Sequence, residues 1–170
     1  MPDRFKKIGL GILGFILLAV IVVNASFDTP AEKAPDFVMI DKDGQSVKLS
    51  DILAEGKPIV LNFWASWCPP CRKEMPDFEK VYKELGNEVQ FMMVNLTDGQ
   101  RETVQRGAKY IEDNGHTFPV YFDTKQEGAR AYGIRAIPTT LFIDKNGHIT
   151  TSARGAIDEK MLRQRIELIK

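Results

Sequence analysis

The sequence predicts a mixed-sheet α/β domain with helices on both faces of the sheet. Between residues 58 and 132, apolar stretches of strand length alternate with amphipathic stretches of helix length. The stretches 58–64 and 89–95 are apolar almost throughout, as expected for strands that are covered on both faces. Two short runs around Asn146-Gly147 then indicate a hairpin near the end of the chain. Together these three observations favour a central mixed β-sheet flanked by helices.

The chain begins with a basic flank and an apolar segment. Arg4, Lys6 and Lys7 precede residues 8–23, which are all apolar or glycine. This run approaches the roughly 20 apolar residues that cross a bilayer. We expect one transmembrane helix that acts as a signal-anchor, with its N-terminus in the cytoplasm because positive flanks stay on that side. A cleaved signal peptide ending near Val23-Asn24-Ala25 and a buried soluble helix are the alternatives.

The predicted organisation therefore has three parts. Residues 1–26 form the cytoplasmic flank and signal-anchor, residues 27–35 form a linker, and residues 36–170 form the folded domain. The linker is assigned from the prolines, alanines and charges between residues 28 and 35. This orientation puts the domain outside the cytoplasm, in an oxidising environment.

The elements of the folded domain follow from local patterns. An N-terminal β-hairpin is expected around Asp43-Gly44, and a helix over residues 72–85 is expected to contain a kink at Pro76 and to end at Gly86. Asp98 is expected to cap the next helix. The later elements are a strand at 118–122, a short helix at 126–132, the hairpin strands 139–143 and 148–152, and a last helix that starts near Asp158.

Composition excludes one large class of function. The 170 residues include 23 basic and 23 acidic side chains, and no basic stripe occurs along the domain. Nucleic acid is therefore not an expected partner. The hydrophobic fraction of 44% is sufficient for a buried core in a domain of this length.

The two cysteines of the chain lie where a buried strand passes into a helix. A helix N-terminus stabilises a thiolate, so Cys68 at the N-cap is predicted to be the exposed attacking sulfur and Cys71 the buried resolving one. Pro69 and Pro70 suit the first turn because their missing N–H groups are not needed there. An inert disulfide is one alternative, and half of a zinc site is another. The zinc site would need His116 and His148, which lie far apart in the sequence.

Three segments carry a family signal. Residues 63–76 read Phe-Trp-Ala-Ser-Trp-Cys-Pro-Pro-Cys-Arg-Lys-Glu-Met-Pro, residues 34–37 read Ala-Pro-Asp-Phe, and residues 133–139 read Gly-Ile-Arg-Ala-Ile-Pro-Thr. With a helical insertion at 99–114, these segments resemble the membrane-tethered, extracytoplasmic branch of the thioredoxin family, the ResA/TlpA-like group of thiol-disulfide oxidoreductases. The resemblance covers residues 34–170. It implies a thioredoxin-like fold and reductase activity outside the cytoplasm, often on the haem-binding cysteines of apocytochrome c.

The resemblance also implies roles for residues around the cysteines. Pro138 is expected to follow a cis peptide bond, although most X-Pro bonds are trans. The backbone of Ile137 is then expected to bind an extended substrate by strand pairing. Trp67 and Pro69 are expected to shape the substrate-binding surface beside Cys68. Trp64 either belongs to that surface or simply fills the core.

Glu74 lies three residues after Cys71 and so shares its helix face. One interpretation is a solvated surface glutamate. The resemblance implies a partly buried acid that tunes the cysteine pKa values and transfers a proton. Asn62 occupies the position where cytoplasmic thioredoxins have a buried aspartate, a departure that agrees with the extracytoplasmic branch. The alternative for Asn62 is a polar residue bonded within the core.

The predicted function is therefore thiol-disulfide exchange through Cys68 and Cys71, which form a redox-active disulfide. No cofactor and no metal are expected, because the cysteine pair is itself the redox centre. The expected partners are a disulfide-containing protein such as apocytochrome c and a membrane electron donor of the thiol-transfer type.

Two other classes of function are alternatives to thiol-disulfide exchange with protein substrates. A thiol peroxidase would carry threonine or serine three residues before the attacking cysteine, where this chain has Ala65. A copper-handling Sco-like module would need a wider cysteine spacing and a distal histidine.

Overall fold

The computed structural model describes residues 32–170. The predicted signal-anchor at 1–26 and most of the predicted linker lie outside these residues. Within residues 32–170, no helix combines the length and the apolar character required to cross a bilayer.

The described chain folds into seven strands and five helices. The strands are β1 (Val38–Asp41), β2 (Ser46–Lys48), β3 (Ile59–Trp64), β4 (Gln90–Asn95), β5 (Val120–Phe122), β6 (Thr139–Ile143) and β7 (Ile149–Arg154). The helices are α1 (Leu49–Leu53), α2 (Pro69–Leu85), α3 (Val104–Asp113), α4 (Glu127–Ala131) and α5 (Glu159–Ile166).

All seven strands form one mixed sheet in the order β2-β1-β5-β4-β3-β6-β7. Strand β3 pairs parallel with β4 and antiparallel with β6, and β4 pairs parallel with β5. Both predicted hairpins are present, β1–β2 at one edge and β6–β7 at the other. The predicted mixed-sheet α/β architecture is therefore confirmed, and β3 lies near the centre of the sheet.

Strand β3 divides the core into two layers. Successive side chains of a strand point to opposite faces. Val60 and Trp64 accordingly pack in one cluster, which includes side chains of α2 and α5, whereas Leu61 and Phe63 pack in the other, which includes side chains of α1. All six residues of β3 are buried, as the apolar run predicted. Asn62 is the polar residue in this strand, and its side chain points toward helix α2.

The start of one helix differs from the prediction, and the start of another agrees with its predicted N-cap. Helix α3 begins at Val104 and is capped by Thr103, whose Oγ1 accepts a hydrogen bond from the Arg106 N–H at 3.2 Å. The prediction that Asp98 caps this helix is wrong. The Asp98 carboxylate instead accepts backbone N–H groups at residues 100 and 102, inside the loop that precedes the helix. Helix α2 begins at Pro69, directly after Cys68 as the predicted N-cap requires, and so extends three residues before the range 72–85; proline has a backbone angle that suits the first turn.

Candidate active site

The cysteine pair lies at the N-terminus of α2, directly after the buried strand β3. Cys68 is the N-cap residue, and its Sγ accepts a hydrogen bond from the Cys71 backbone N–H at 3.3 Å. The two cysteines are joined by a disulfide. The predicted strand-to-helix position and the predicted N-cap are both confirmed. A thiolate formed at Cys68 would face the free N–H groups and the positive end of the helix dipole.

The exposure of the two sulfurs differs from the prediction. Cys71 is fully buried, and Cys68 is only 2% exposed. The prediction of an exposed Cys68 is therefore wrong for the disulfide form, because the carbonyl oxygen of Ile137 lies 3.7 Å from its Sγ. The exposed groups of this motif are Trp67, with 37% of its surface accessible, and the two prolines that follow Cys68, Pro69 and Pro70.

The loop before β6 completes this side of the site. The Ile137–Pro138 peptide bond is cis, as the family resemblance implied. Pro138 is buried, and its carbonyl accepts a hydrogen bond from the Gly155 N–H at 2.8 Å. Ile137 is half-buried and contacts Cys68. The expected substrate-binding residues therefore surround the disulfide.

Glu74 is buried, with only 2% of its surface exposed, so the interpretation as a solvated glutamate is wrong. Its Oε1 accepts a hydrogen bond from Asn62 Nδ2 at 2.9 Å, and its Oε2 accepts one from the Ile157 N–H at 3.0 Å. Burial raises the pKa of Glu74 to about 7, and these two hydrogen bonds only partly oppose that effect. A carboxyl with this pKa changes protonation near neutral pH, as an acid–base group requires.

A small cavity connects this carboxyl to the outside of the helix. It has a volume of about 210 Å³, and its lining includes Lys73, Glu74, Asp77, Ile157 and Met161. Glu74 therefore borders a space large enough for several water molecules, and neither cysteine lines that space.

Asn62 holds the Glu74 carboxyl from the centre of the sheet. Its Nδ2 also donates to Thr140 Oγ1 at 2.9 Å, so one amide joins β3, α2 and β6. The Asn62 Oδ1 is buried and has no hydrogen-bond partner among the described residues. Asn62 is thus hydrogen-bonded within the core. Its partner there is Glu74, the acid that the sequence analysis associated with the cysteines.

Sequence reasoning missed a second polar cluster next to the motif. Glu102 is fully buried, and its carboxylate accepts the Ser66 N–H at 3.0 Å, the Ser66 O–H at 2.7 Å and the Asn95 Nδ2 at 2.6 Å. Asn95 in turn accepts the Thr97 O–H at 2.8 Å. Glu102 belongs to a polar loop of ordinary composition, so no local pattern could have shown that it reaches a residue 36 positions away.

The other singled-out residues belong to the framework of the site. Trp64 is fully buried and its ring packs 5.9 Å from that of Tyr110, which favours the core interpretation. His116 stacks on Phe118, and burial lowers its pKa. Within residues 32–170, no group of three or more histidine, cysteine, aspartate or glutamate side chains is arranged to hold a metal ion.

Comparison with known proteins agrees with this geometry. Residues 30–152 match the AhpC/TSA family. The thiol-disulfide oxidoreductase ResA of Halalkalibacterium halodurans is 36% identical over 159 residues, a match that spans 93% of this chain and 87% of that protein.

Solved structures give the same result. A thiol:disulfide interchange protein described as DsbE from Chlorobium tepidum superposes with a TM-score of 0.72 at 33% identity, over 82% of this chain and 97% of that one. StoA from Bacillus subtilis superposes with a TM-score of 0.67 at 31% identity, over 78% of this chain and 96% of that one. The fold is thus the thioredoxin-like fold that the motifs predicted.

Proposed function

This chain belongs to the AhpC/TSA family and is a thiol-disulfide oxidoreductase, and from that premise we propose that it reduces protein disulfides outside the cytoplasm. The observation that carries the proposal is the Cys68–Cys71 disulfide at the N-terminus of α2, beside the cis Ile137–Pro138 bond. A pair in this position alternates between dithiol and disulfide without a further cofactor.

The reaction has two exchange steps. The Cys68 thiolate attacks one sulfur of a substrate disulfide, which forms a mixed disulfide and releases the other substrate sulfur as a thiolate. Cys71 then attacks Cys68, so the second substrate sulfur leaves and the enzyme disulfide forms. Two electrons pass from the enzyme to the substrate in each cycle. A membrane electron donor of the thiol-transfer type then reduces the enzyme again.

Glu74 is proposed to exchange the proton of Cys71. The two residues are one helical turn apart in α2, both are buried, and the pKa of Glu74 is raised to about 7 by burial. A buried thiol can react only after it loses its proton, and a nearby carboxylate with a matched pKa can accept it. The cavity beside Glu74 supplies the route by which that proton reaches solvent.

Trp67, Pro69, Ile137 and Pro138 are proposed to bind the substrate. Trp67 and Pro69 belong to the exposed part of the motif, and the half-buried Ile137 contacts the Cys68 Sγ that attacks the substrate disulfide. An extended substrate segment can lie along the Ile137 backbone and bring its disulfide to Cys68.

The proposed localisation rests on the N-terminal sequence. Residues 1–26 combine a basic flank with the apolar run 8–23, residues 27–35 form a linker, and residues 36–170 form the catalytic domain. A signal-anchor of this kind leaves the domain tethered on the outer side of the membrane. Since relatives named ResA are thiol-disulfide oxidoreductases, the haem-binding cysteines of apocytochrome c are the substrate class that we propose first.

The test is the reduction potential of the full chain at neutral pH, measured by equilibration with a thiol–disulfide buffer. A value at or below about −270 mV is expected for a reductant. In parallel, the reduced chain should reduce an oxidised peptide that contains the sequence Cys-X-X-Cys-His, whereas the Cys68→Ser variant should not. A potential near about −120 mV would make the protein an oxidant and overturn the proposed direction. Catalytic consumption of hydrogen peroxide would instead favour a thiol peroxidase.

A further inference from the structure

The loop between β4 and α3 is fastened to the active-site loop by a buried carboxylate. Glu102 accepts both the N–H and the O–H of Ser66, which precedes Trp67-Cys68 in the chain. The same loop is tied down on its outer side, because Arg106 Nη1 donates to the carbonyl oxygens of Gln100 and Arg101 at 2.7 and 2.8 Å. The backbone of Arg101 is thus held on both sides, next to the redox motif.

This anchoring presents one charged side chain at the rim of the site. The Arg101 guanidinium carbon lies 3.5 Å from the centre of the Trp67 ring, so the planar group lies against the ring face. Trp67 is the exposed aromatic residue of the motif, and Arg101 is exposed as well. The five N–H donors of a guanidinium lie in its plane, so a stacked guanidinium keeps them available at its edge.

The donors of Arg101 are available to an incoming group. None of the ion pairs formed within residues 32–170 includes Arg101. Asp98, which lies in the same loop, uses its carboxylate to accept backbone N–H groups; its charge also interacts with that of Arg101, but the two side chains form no ion pair. Two further exposed arginines flank the site in the chain, Arg72 directly after Cys71 and Arg135 two residues before Ile137. Among these arginines, the one that the structure places against the exposed aromatic ring of the motif is Arg101, whereas Arg72 lies over the ring of Tyr110.

We propose that Arg101, stacked on Trp67, is a specificity-determining residue that binds an acidic side chain beside the target disulfide of a protein substrate. The carboxylate would accept two parallel hydrogen bonds from the edge of the guanidinium, a geometry that arginine forms readily and lysine does not. The substrate backbone would meanwhile lie along Ile137. This inference rests on the proposed function and adds a preference among substrates to it.

The experiment compares three synthetic peptides that each contain one intramolecular disulfide. They are identical except for aspartate, asparagine or lysine beside the disulfide. The reduced full chain is mixed with each peptide, and the second-order rate of exchange is divided by that peptide's rate with dithiothreitol, which removes differences in intrinsic reactivity. The wild-type chain should prefer the aspartate peptide over the asparagine peptide by about fivefold, the factor expected for one exposed ion pair of good geometry. This preference should disappear in about 1 M salt, because exposed charges are then screened.

Variants separate charge from shape. Arg101→Glu should reverse the preference, so that the lysine peptide reacts faster than the aspartate peptide. Arg101→Lys should retain only part of it, since the ammonium group keeps the charge but lacks the planar fork. The matched control is Lys145→Glu, which changes the net charge by the same amount at an exposed position at the far end of β6 from Pro138. This control should keep the wild-type preference.

The outcomes distinguish this inference from the function on which it rests. Exchange with all three peptides at equal normalised rates would overturn the role of Arg101 and leave the oxidoreductase assignment intact. An unchanged preference in Arg101→Glu would do the same, because the selectivity would then come from another group. Failure of the reduced chain to exchange with any peptide would overturn both proposals.

Discussion

Two buried glutamates flank the cysteine motif, and their surroundings differ. Glu102 is completely buried and accepts three hydrogen bonds, two of them from Ser66. Glu74 is 2% exposed, accepts two hydrogen bonds and borders a cavity of about 210 Å³. Burial raises the pKa of Glu74 to about 7. Two glutamates near one disulfide thus differ in their surroundings. Glu102 lies in a closed hydrogen-bond network, whereas Glu74 borders a cavity that can hold several water molecules.

The difference shows that hydrogen-bond donors and access to water determine what a buried carboxyl can do. Three short hydrogen bonds hold Glu102 in one position, which suits a group that fixes the loop before Cys68. Glu74 has fewer donors and a route to solvent, which suits a group that gains and loses a proton. We therefore expect changes at Glu74 to alter both the pH dependence of stability and the chemistry of Cys71, and changes at Glu102 to act through the hydrogen bonds that are lost.

The largest expected effect is the pH dependence that Glu74 gives to the free energy of unfolding. The folded chain holds the Glu74 proton up to about pH 7, whereas the unfolded chain releases it near the ordinary glutamate pKa of 4.5. Over this window the folded state binds more protons than the unfolded state, so the free energy of unfolding falls as pH rises. The stabilisation is complete below about pH 4.5, and about 3 kcal/mol of it is lost by about pH 7 to 8.

Urea unfolding of the oxidised full chain at several pH values checks this expectation against Glu74→Gln. The glutamine does not titrate, so the difference between the two proteins isolates the Glu74 contribution. If wild type and Glu74→Gln have parallel pH profiles, the raised pKa and the contrast built on it are both wrong.

The second effect concerns the chemistry of Cys71. Glu74→Gln removes the proposed proton acceptor, and the second exchange step should slow by about a hundredfold, at the lower end of what acid–base catalysis supplies. The mixed disulfide with substrate should then accumulate, and quenched-flow sampling with thiol alkylation would measure its lifetime. In wild type the rate of this step should rise with pH around 7, and in the variant that rise should be absent.

Glu79→Gln is a matched control for this kinetic test. Glu79 is another buried glutamate of α2, but its carboxylate accepts hydrogen bonds from Thr117 and lies outside the proposed mechanism. Equal mixed-disulfide lifetimes in wild type and Glu74→Gln would show that Cys71 loses its proton by another route.

The smallest of the three effects is expected at Glu102. Glu102→Ala leaves the Ser66 and Asn95 donors without their acceptor. About 2 kcal/mol of stability should be lost, because buried donors without a partner are costly. Water that enters the space left by the side chain limits the loss to this range. Urea unfolding of the oxidised full chain and of the variant at pH 7 measures this loss. Glu112→Ala, at an exposed position on α3, should cost less than about 0.5 kcal/mol. A loss in Glu102→Ala no larger than that in Glu112→Ala would show that the hydrogen bonds to Glu102 do not stabilise the fold.

Local patterns in the sequence were sufficient to predict much of the secondary structure of this protein. Strand β3 follows from a continuous apolar run, the hairpins follow from their Asx-Gly turns, and the cap of α2 follows from a cysteine before two prolines. Each of these signals depends on residues within a few positions of one another, so the sequence contains the cause in one place. The cis bond before Pro138 was predicted from the family resemblance, because local preference alone favours trans.

Tertiary structure decided the properties on which the chemistry depends. Glu74 is bonded to Ile157, which is 83 positions away, and Ser66 is bonded to Glu102, which is 36 positions away. Cys68 is covered by Ile137, 69 positions along the chain, which the expectation of an exposed sulfur did not anticipate. Burial, pKa and hydrogen-bond partners depend on which distant segments meet in space. The sequence by itself therefore determined which residues could react, and the packing of distant segments determined their protonation, their exposure and the arginine that lies beside them.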